Sequence, residues 1–183
     1  MKSAIILLAV LGVALSASLT PSAAAATDMF MKIGDVKGES IDVKHKDEID
    51  VLAWSWGMSN SGTTHSGSGG DVGKANVQDF SFTKYVDLST PDLMLSTLNG
   101  QHFDQATFTV QKAGGTHLEF LKITFEEVIV TSVSTGGSGG EDRLTENITL
   151  NFAKVKVEYT PQKQDGSGGP TKTITWDIAA NTV

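Results

Sequence analysis

The chain has 183 residues, a formal charge of −7 and no cysteine. Its length suits one domain by the usual prior of roughly 100–200 residues each. The missing cysteines exclude a disulfide framework, a thiol nucleophile and a zinc–thiolate site, and the acidic balance argues against phosphate backbones and anionic lipid as partners.

The first segment reads as an export signal. Lys2 is a short positive region, Ala4 to Ala17 is apolar and uncharged, and Ala24-Ala25-Ala26 fits a small-residue cleavage site, which places the cut between Ala26 and Thr27. The apolar run is shorter than the roughly 20 residues that span a bilayer. Residues 1–26 are therefore expected to be a signal peptide and 27–183 one domain, exported to the periplasm or secreted. Removal of the signal takes one lysine and no acid, which leaves a charge of −8 on 157 residues. That length can bury a sizeable core without disulfides.

The mature part reads as strands separated by Gly, Ser and Asp. Leu52, Trp54, Trp56 and Met58 alternate with small residues, which puts both tryptophans on one face of a strand. Phe80 with Phe82, then Ala106, Phe108 and Val110, repeat the period, and Ile174, Trp176 and Ile178 make the last strand. Two runs change phase. Leu118 and Phe120 are followed by Leu121, Ile123 and Phe125, then by Val128 and Val130; Ile148, Leu150 and Phe152 are followed by Val155, Val157 and Tyr159. A one-residue slip turns every later side chain over, so each switch implies a bulge, a bend or a fresh strand, or else a place where both faces are covered. One helix is expected over Pro91–Leu98, with Thr90 as cap, Asp92 at the positive end of the dipole, Leu93, Met94, Leu95 and Leu98 as an apolar side, and Asn99-Gly100 as the stop. Gly57–Gly73, Ser134–Gly140 and Gln162–Pro170 read as loops, the first of them long for a compact domain. The fold class is all-β, a barrel or sandwich of about six to eight strands with one short helix.

No catalytic constellation emerges. Gly136-Gly137-Ser138-Gly139-Gly140 matches the serine-hydrolase elbow by letter, but a strand follows where that elbow needs a helix. Gly67 to Lys74 fails the phosphate-loop spacing, with Ala75 in place of the magnesium-binding hydroxyl. His45, His65, His102 and His117 lack ligand spacing and read as surface or loop histidines. The adjacent acids Asp47–Glu48 and Glu126–Glu127 point to opposite faces of a strand and make no obvious dyad. No enzyme activity, catalytic residue, metal or cofactor is assigned.

Taken together, the segments Asp28–Ser40, His45–Ser59, Phe80–Met94, Gly114–Ser132, Thr145–Gln162 and Thr173–Asn181 resemble the Hcp family, the tube proteins of type VI secretion. The resemblance covers nearly all of the mature chain. It implies a β-barrel of two sheets with a flanking helix, homo-hexameric rings that stack into a tube, a spike protein at its tip and small effectors in its lumen. It also implies that the extended loop after the second strand touches the neighbouring ring. Here its candidate contact residues are Gly57, Met58, Ser59, Asn60, Ser61, Gly62, His65, Gly67, Gly69, Gly70, Asp71 and Gly73. A signal peptide is at odds with a tube assembled in the cytoplasm, so an exported binding module on the same fold is the alternative.

Overall fold

The computed structural model describes residues 26–62, 73–114 and 117–182. In chain order the elements are β1 (Thr27–Ile33), β2 (Ile49–Ser55), β3 (Met58–Asn60), β4 (Ala75–Val77), β5 (Phe80–Tyr85), α1 (Thr90–Asn99), β6 (His102–Lys112), β7 (Glu119–Gly136), β8 (Thr145–Asn151), β9 (Lys154–Tyr159) and β10 (Lys172–Asp177). All pairings are antiparallel. The main sheet runs β10-β9-β7-β6-β1-β2-β5-β8, and β8 returns to pair with β7. That return closes six strands into a barrel, with β9 and β10 as a flap outside it. The all-β class is as expected; the strands exceed the expected number because β3 and β4 form a separate ribbon.

β7 makes closure possible. It spans 18 residues, far longer than an average strand, and serves two partners along one edge. Leu121 to Glu126 pair with β9, and Ile129 to Gly136 pair with β8. The turn of direction falls at Glu127, whose φ is 55°, with Phe152 and Ala153 opposite. Glu126 and Glu127 are both exposed between the inward-facing Phe125 and Val128, and Ala153 donates its N–H to the Glu126 carbonyl at 3.0 Å. Both phase switches therefore mark one corner, where two adjacent strands bend together. The earlier switch at Phe120 is a bulge as well: Val110 pairs with Leu121 but Gln111 with Glu119.

The interior is aromatic. Phe80, Phe82, Phe108 and Phe125 are almost wholly buried, and Phe80 lies 5.2 Å from Phe108 and 4.9 Å from Phe125 in tilted contacts. Both tryptophans touch these rings: Trp54, still 37% exposed, sits 5.7 Å from Phe80, and Trp56 stands edge-on to Phe125 at 6.3 Å. They do not share the expected strand: Trp56 lies beyond the end of β2. β2 ends at Ser55, Met58 belongs to β3, and Leu52 is an extra residue between Val51 and Ala53.

The helix is one residue longer at each end than expected. Its cap position is Ser89, not Thr90, and Gly100 closes it in the left-handed conformation with φ 66°. Only Leu93 of its leucines is buried; Leu95 and Leu98 face outward, 57% and 85% exposed. The expected loop at Ser134 also starts later, because β7 continues through Gly136.

Candidate assembly surfaces

The base of the long loop is built rather than slack. β3 and β4 pair as Met58–Val77, Ser59–Asn76 and Asn60–Ala75. Trp56 donates its indole N–H to the Gln78 carbonyl at 3.0 Å, and Gln78 returns its N–H to the Gly57 carbonyl. At the far end the Asn60 amide donates to the Gly73 carbonyl at 2.9 Å and accepts the Gly62 N–H at 2.7 Å. A Cβ on Gly73 would strike the Gly62 nitrogen and Ser61, so glycine is required there. Of the expected contact residues, Gly57, Met58, Ser59, Asn60, Ser61, Gly62 and Gly73 are thus placed on or beside one ribbon. Met58 to Gly62 are exposed. His65, Gly67, Gly69, Gly70 and Asp71 lie outside the described residues.

A second surface escaped the sequence reading. Residues 34–48 leave β1, fold back over the outer face of the sheet and return to β2 as a strap. Gly38 and Asp47 exchange a backbone bond at 2.9 Å, and Ser40 pairs with Asp47 and Glu48. Asp42 anchors its far end: Oδ1 accepts the N–H groups of Lys44 and His45, and Oδ2 accepts the Gln111 amide at 2.9 Å. Burial alone would raise the Asp42 carboxyl, but those hydrogen bonds and nearby His45 outweigh it and hold the group below the usual carboxylate range. His45 stacks on Phe30 at 4.3 Å and is only 7% exposed, which corrects its reading as a surface histidine. His102 and His117 are exposed as expected. At the crest of the strap Ile41 and Val43 are each 96% exposed.

The strap meets the segment just before α1, where Glu39 accepts the Leu88 N–H. The helix itself is docked by charge. Lys84, on β5, points into the barrel wall and contacts Asp87 and Glu146, each at 2.7 Å, and the Tyr85 carbonyl at 2.8 Å. Thr90, the first helical residue, donates its hydroxyl to Glu146 at 2.8 Å. The signal for this network was present: Lys84 is in phase with Phe80 and Phe82, and Glu146 with Ile148 and Leu150, so a cation and an anion each occupy an inward position.

Gly136 ends β7, and Gly137 to Gly140 begin the connection to β8. Ser138 there lies in an exposed hairpin with no helix after it, so the elbow geometry is absent. Among the described residues no group of three or more acidic or histidine side chains is gathered as a metal would require.

Residues 30–159 match the family described as "Type VI secretion system effector, Hcp". The chain is 64% identical over 159 residues to Protein hcp1 of Pseudomonas aeruginosa, across 85% of this chain and 98% of that one. A solved structure of a type six secretion system protein superposes with a TM-score of 0.81 at 34% identity, covering 86% of this chain and 99% of that one. Hcp1 from Salmonella typhimurium gives 0.70 at 37% identity, covering 86% and 98%. This chain belongs to the Hcp family of type VI secretion proteins.

Proposed function

We propose that the chain is a structural tube subunit of a type VI secretion system: six copies close into a ring, rings stack through the ribbon and loop at Gly57–Gly73, and small effectors travel in the lumen behind a spike protein. The observation that carries this reading is the 64% identity to Protein hcp1 over nearly the whole of that protein. The surfaces support it. Leu88, Leu95, Leu98, Ile41 and Val43 are large apolar side chains left mostly in solvent, available for burial against neighbouring copies. A head-to-tail contact between unlike surfaces closes into a ring when its rotation divides the circle, and builds a filament otherwise.

Separately, we propose that residues 1–26 are a removable signal, which is at odds with assembly into a cytoplasmic tube and favours the alternative of an exported binding module on the Hcp fold. The cut between Ala26 and Thr27 falls immediately before β1, so it sacrifices one backbone bond, from the Ala113 N–H to the Ala26 carbonyl at 2.8 Å, and leaves the β1–β6 ladder from Thr27 onward. The protein would then work outside the cytoplasm, in the periplasm or beyond the cell.

Two measurements on protein purified from expressing cells test these points separately. Intact mass reads the processing: a species beginning at Thr27 supports the signal, and an uncut chain removes it. Light scattering with negative-stain images reads the assembly. Six-fold rings support the tube subunit, whereas a monomer at all concentrations overturns the ring and leaves a binding module on the Hcp fold.

A further inference from the structure

We propose that the strap over residues 34–48 is a proton-operated latch, closed by His45. The imidazole sits between two carboxylates on different elements. Its Nδ1 is 2.9 Å from Glu48 Oε2, on the strap itself, and its Nε2 is 3.9 Å from Glu119 Oε1, at the start of β7. The Nε2 atom is buried and has no hydrogen-bond partner among the described residues. A neutral imidazole carries one N–H, so it can donate to one carboxylate only and turns a lone pair toward the other. The imidazolium carries two. It would keep Glu48 and, after a small rotation of Glu119, clamp the strap to β7 by a charge-assisted bond. Phe30, stacked flat on the ring, offers a π face that favours the cation as well.

The other charges near His45 do not all agree. Asp42 favours the imidazolium. Lys44 opposes it and also competes for Glu119, its Nζ lying 3.4 Å from the same Oε1. Lys32 of β1 and Lys122 of β7 line the open groove of about 930 Å³ beside the strap and oppose it at longer range. Glu48 is in hydrogen-bond contact and Glu119 lies 3.9 Å away, whereas the lysines are solvated and their charge is screened hardest. The sign follows: the strap is held more tightly in acid, and the extra contact is lost as the proton leaves. Histidine as a class changes charge between roughly pH 5 and 8, which is the range the test below spans. What the latch controls is the posture of Ile41 and Val43, which the closed strap presents as a fixed apolar pair.

Amide hydrogen exchange across residues 38–48 of the full chain, corrected for the intrinsic pH dependence of exchange, reads the latch directly. Protection is expected to rise roughly fivefold on going from about pH 8 to about pH 5.5, in keeping with one added charged hydrogen bond on a partly solvated carboxylate. His45→Gln is expected to flatten that dependence. Glu119→Gln, a near-isosteric change on a side chain 31% exposed, is expected to leave the strap docked but to remove most of the rise; it keeps the test alive if His45→Gln fails to fold. Strap protection that is independent of pH in the unaltered protein overturns the proposal. So does a rise that persists unchanged in Glu119→Gln.

Discussion

Lys84 Nζ and Glu146 Oε1 are 2.7 Å apart, and neither side chain keeps any solvent exposure. The lysine spends its donors on Glu146, Asp87 and the Tyr85 carbonyl, while Glu146 Oε2 has no partner among the described residues. Removing one member of such a cluster leaves the others charged and dry. Lys84→Met is expected to cost about 3–5 kcal/mol of unfolding free energy in urea titrations. The double variant Lys84→Met with Glu146→Leu is expected to recover much of it, because the desolvation penalty of both ions disappears together. A single variant as stable as the unaltered chain would show that the pair contributes nothing to holding α1.

The sequence announces this barrel through its phase errors more than through its regular strands. Phe120 against Leu121, Phe125 against Val128 and Phe152 against Val155 each locate a place where the chain bends, and the last two prove to be partners across one corner. Two further bulges, at Leu52 and Thr131, left no such trace. Leu52 continues an apolar alternation, and Thr131 suits either face, so neither breaks the pattern that a reader follows. The strap was invisible for a different reason. Its anchors are the buried Ser40 and His45 and the half-buried Asp42; Asp42 is held by Gln111 and His45 by Phe30 from other strands, and no local period encodes a contact of that range. The loop base was half legible: composition marked Gly57–Gly73 as special, but pairing across the ribbon depends on three-residue strands too short to show a period.

Glu127 adopts φ 55°, a conformation that costs most L-residues about 1–2 kcal/mol and glycine almost nothing. Its exposure means that its side chain decides little else. Glu127→Gly is expected to hold or slightly raise stability. Glu127→Val, with a branched Cβ in the same conformation, is expected to fall below the glycine variant by about 1–2 kcal/mol. Equal stabilities would mean that the corner relaxes to ordinary strand geometry when the side chain asks for it.

Gly38 is the tightest point of the strap. A Cβ there would overlap the Glu48 carbonyl and crowd the Ile49 Cα at 2.7 Å, and both obstacles are backbone on a neighbouring segment. Gly38→Ala must therefore spread the two arms of the strap and lengthen the Gly38–Asp47 bond. The expected cost is about 1–3 kcal/mol by the standard of overpacked sites. The same change should raise hydrogen exchange at Ser40 and Asp47 before it affects the barrel. Uniform destabilisation, with the strap no looser than the strands, would count against that local reading.

Asp50 pairs with Phe30 at the last register point before β1 and β2 diverge. Burial around its carboxylate is the largest influence and raises the pKa. The Ser40 hydroxyl opposes that rise, Asp87 adds to it, Arg143 again opposes and Asp28 again adds; the net direction is upward. Much of the residue remains exposed, so the effect on stability is small. Its sign is nonetheless fixed. An acid that binds its proton more tightly when folded costs stability while ionised and gives it back as pH falls through the raised value. Asp50→Asn keeps a hydrogen-bonding partner for Ser40 and removes the charge, so it is expected to melt slightly higher than the unaltered chain at neutral pH. That advantage should shrink steadily toward pH about 4, where an ordinary aspartate is half protonated. Melting curves of both proteins at several pH values provide the check. An advantage that stays constant across the series would place its origin in packing, and an advantage that grows in acid would reverse the sign argued for Asp50.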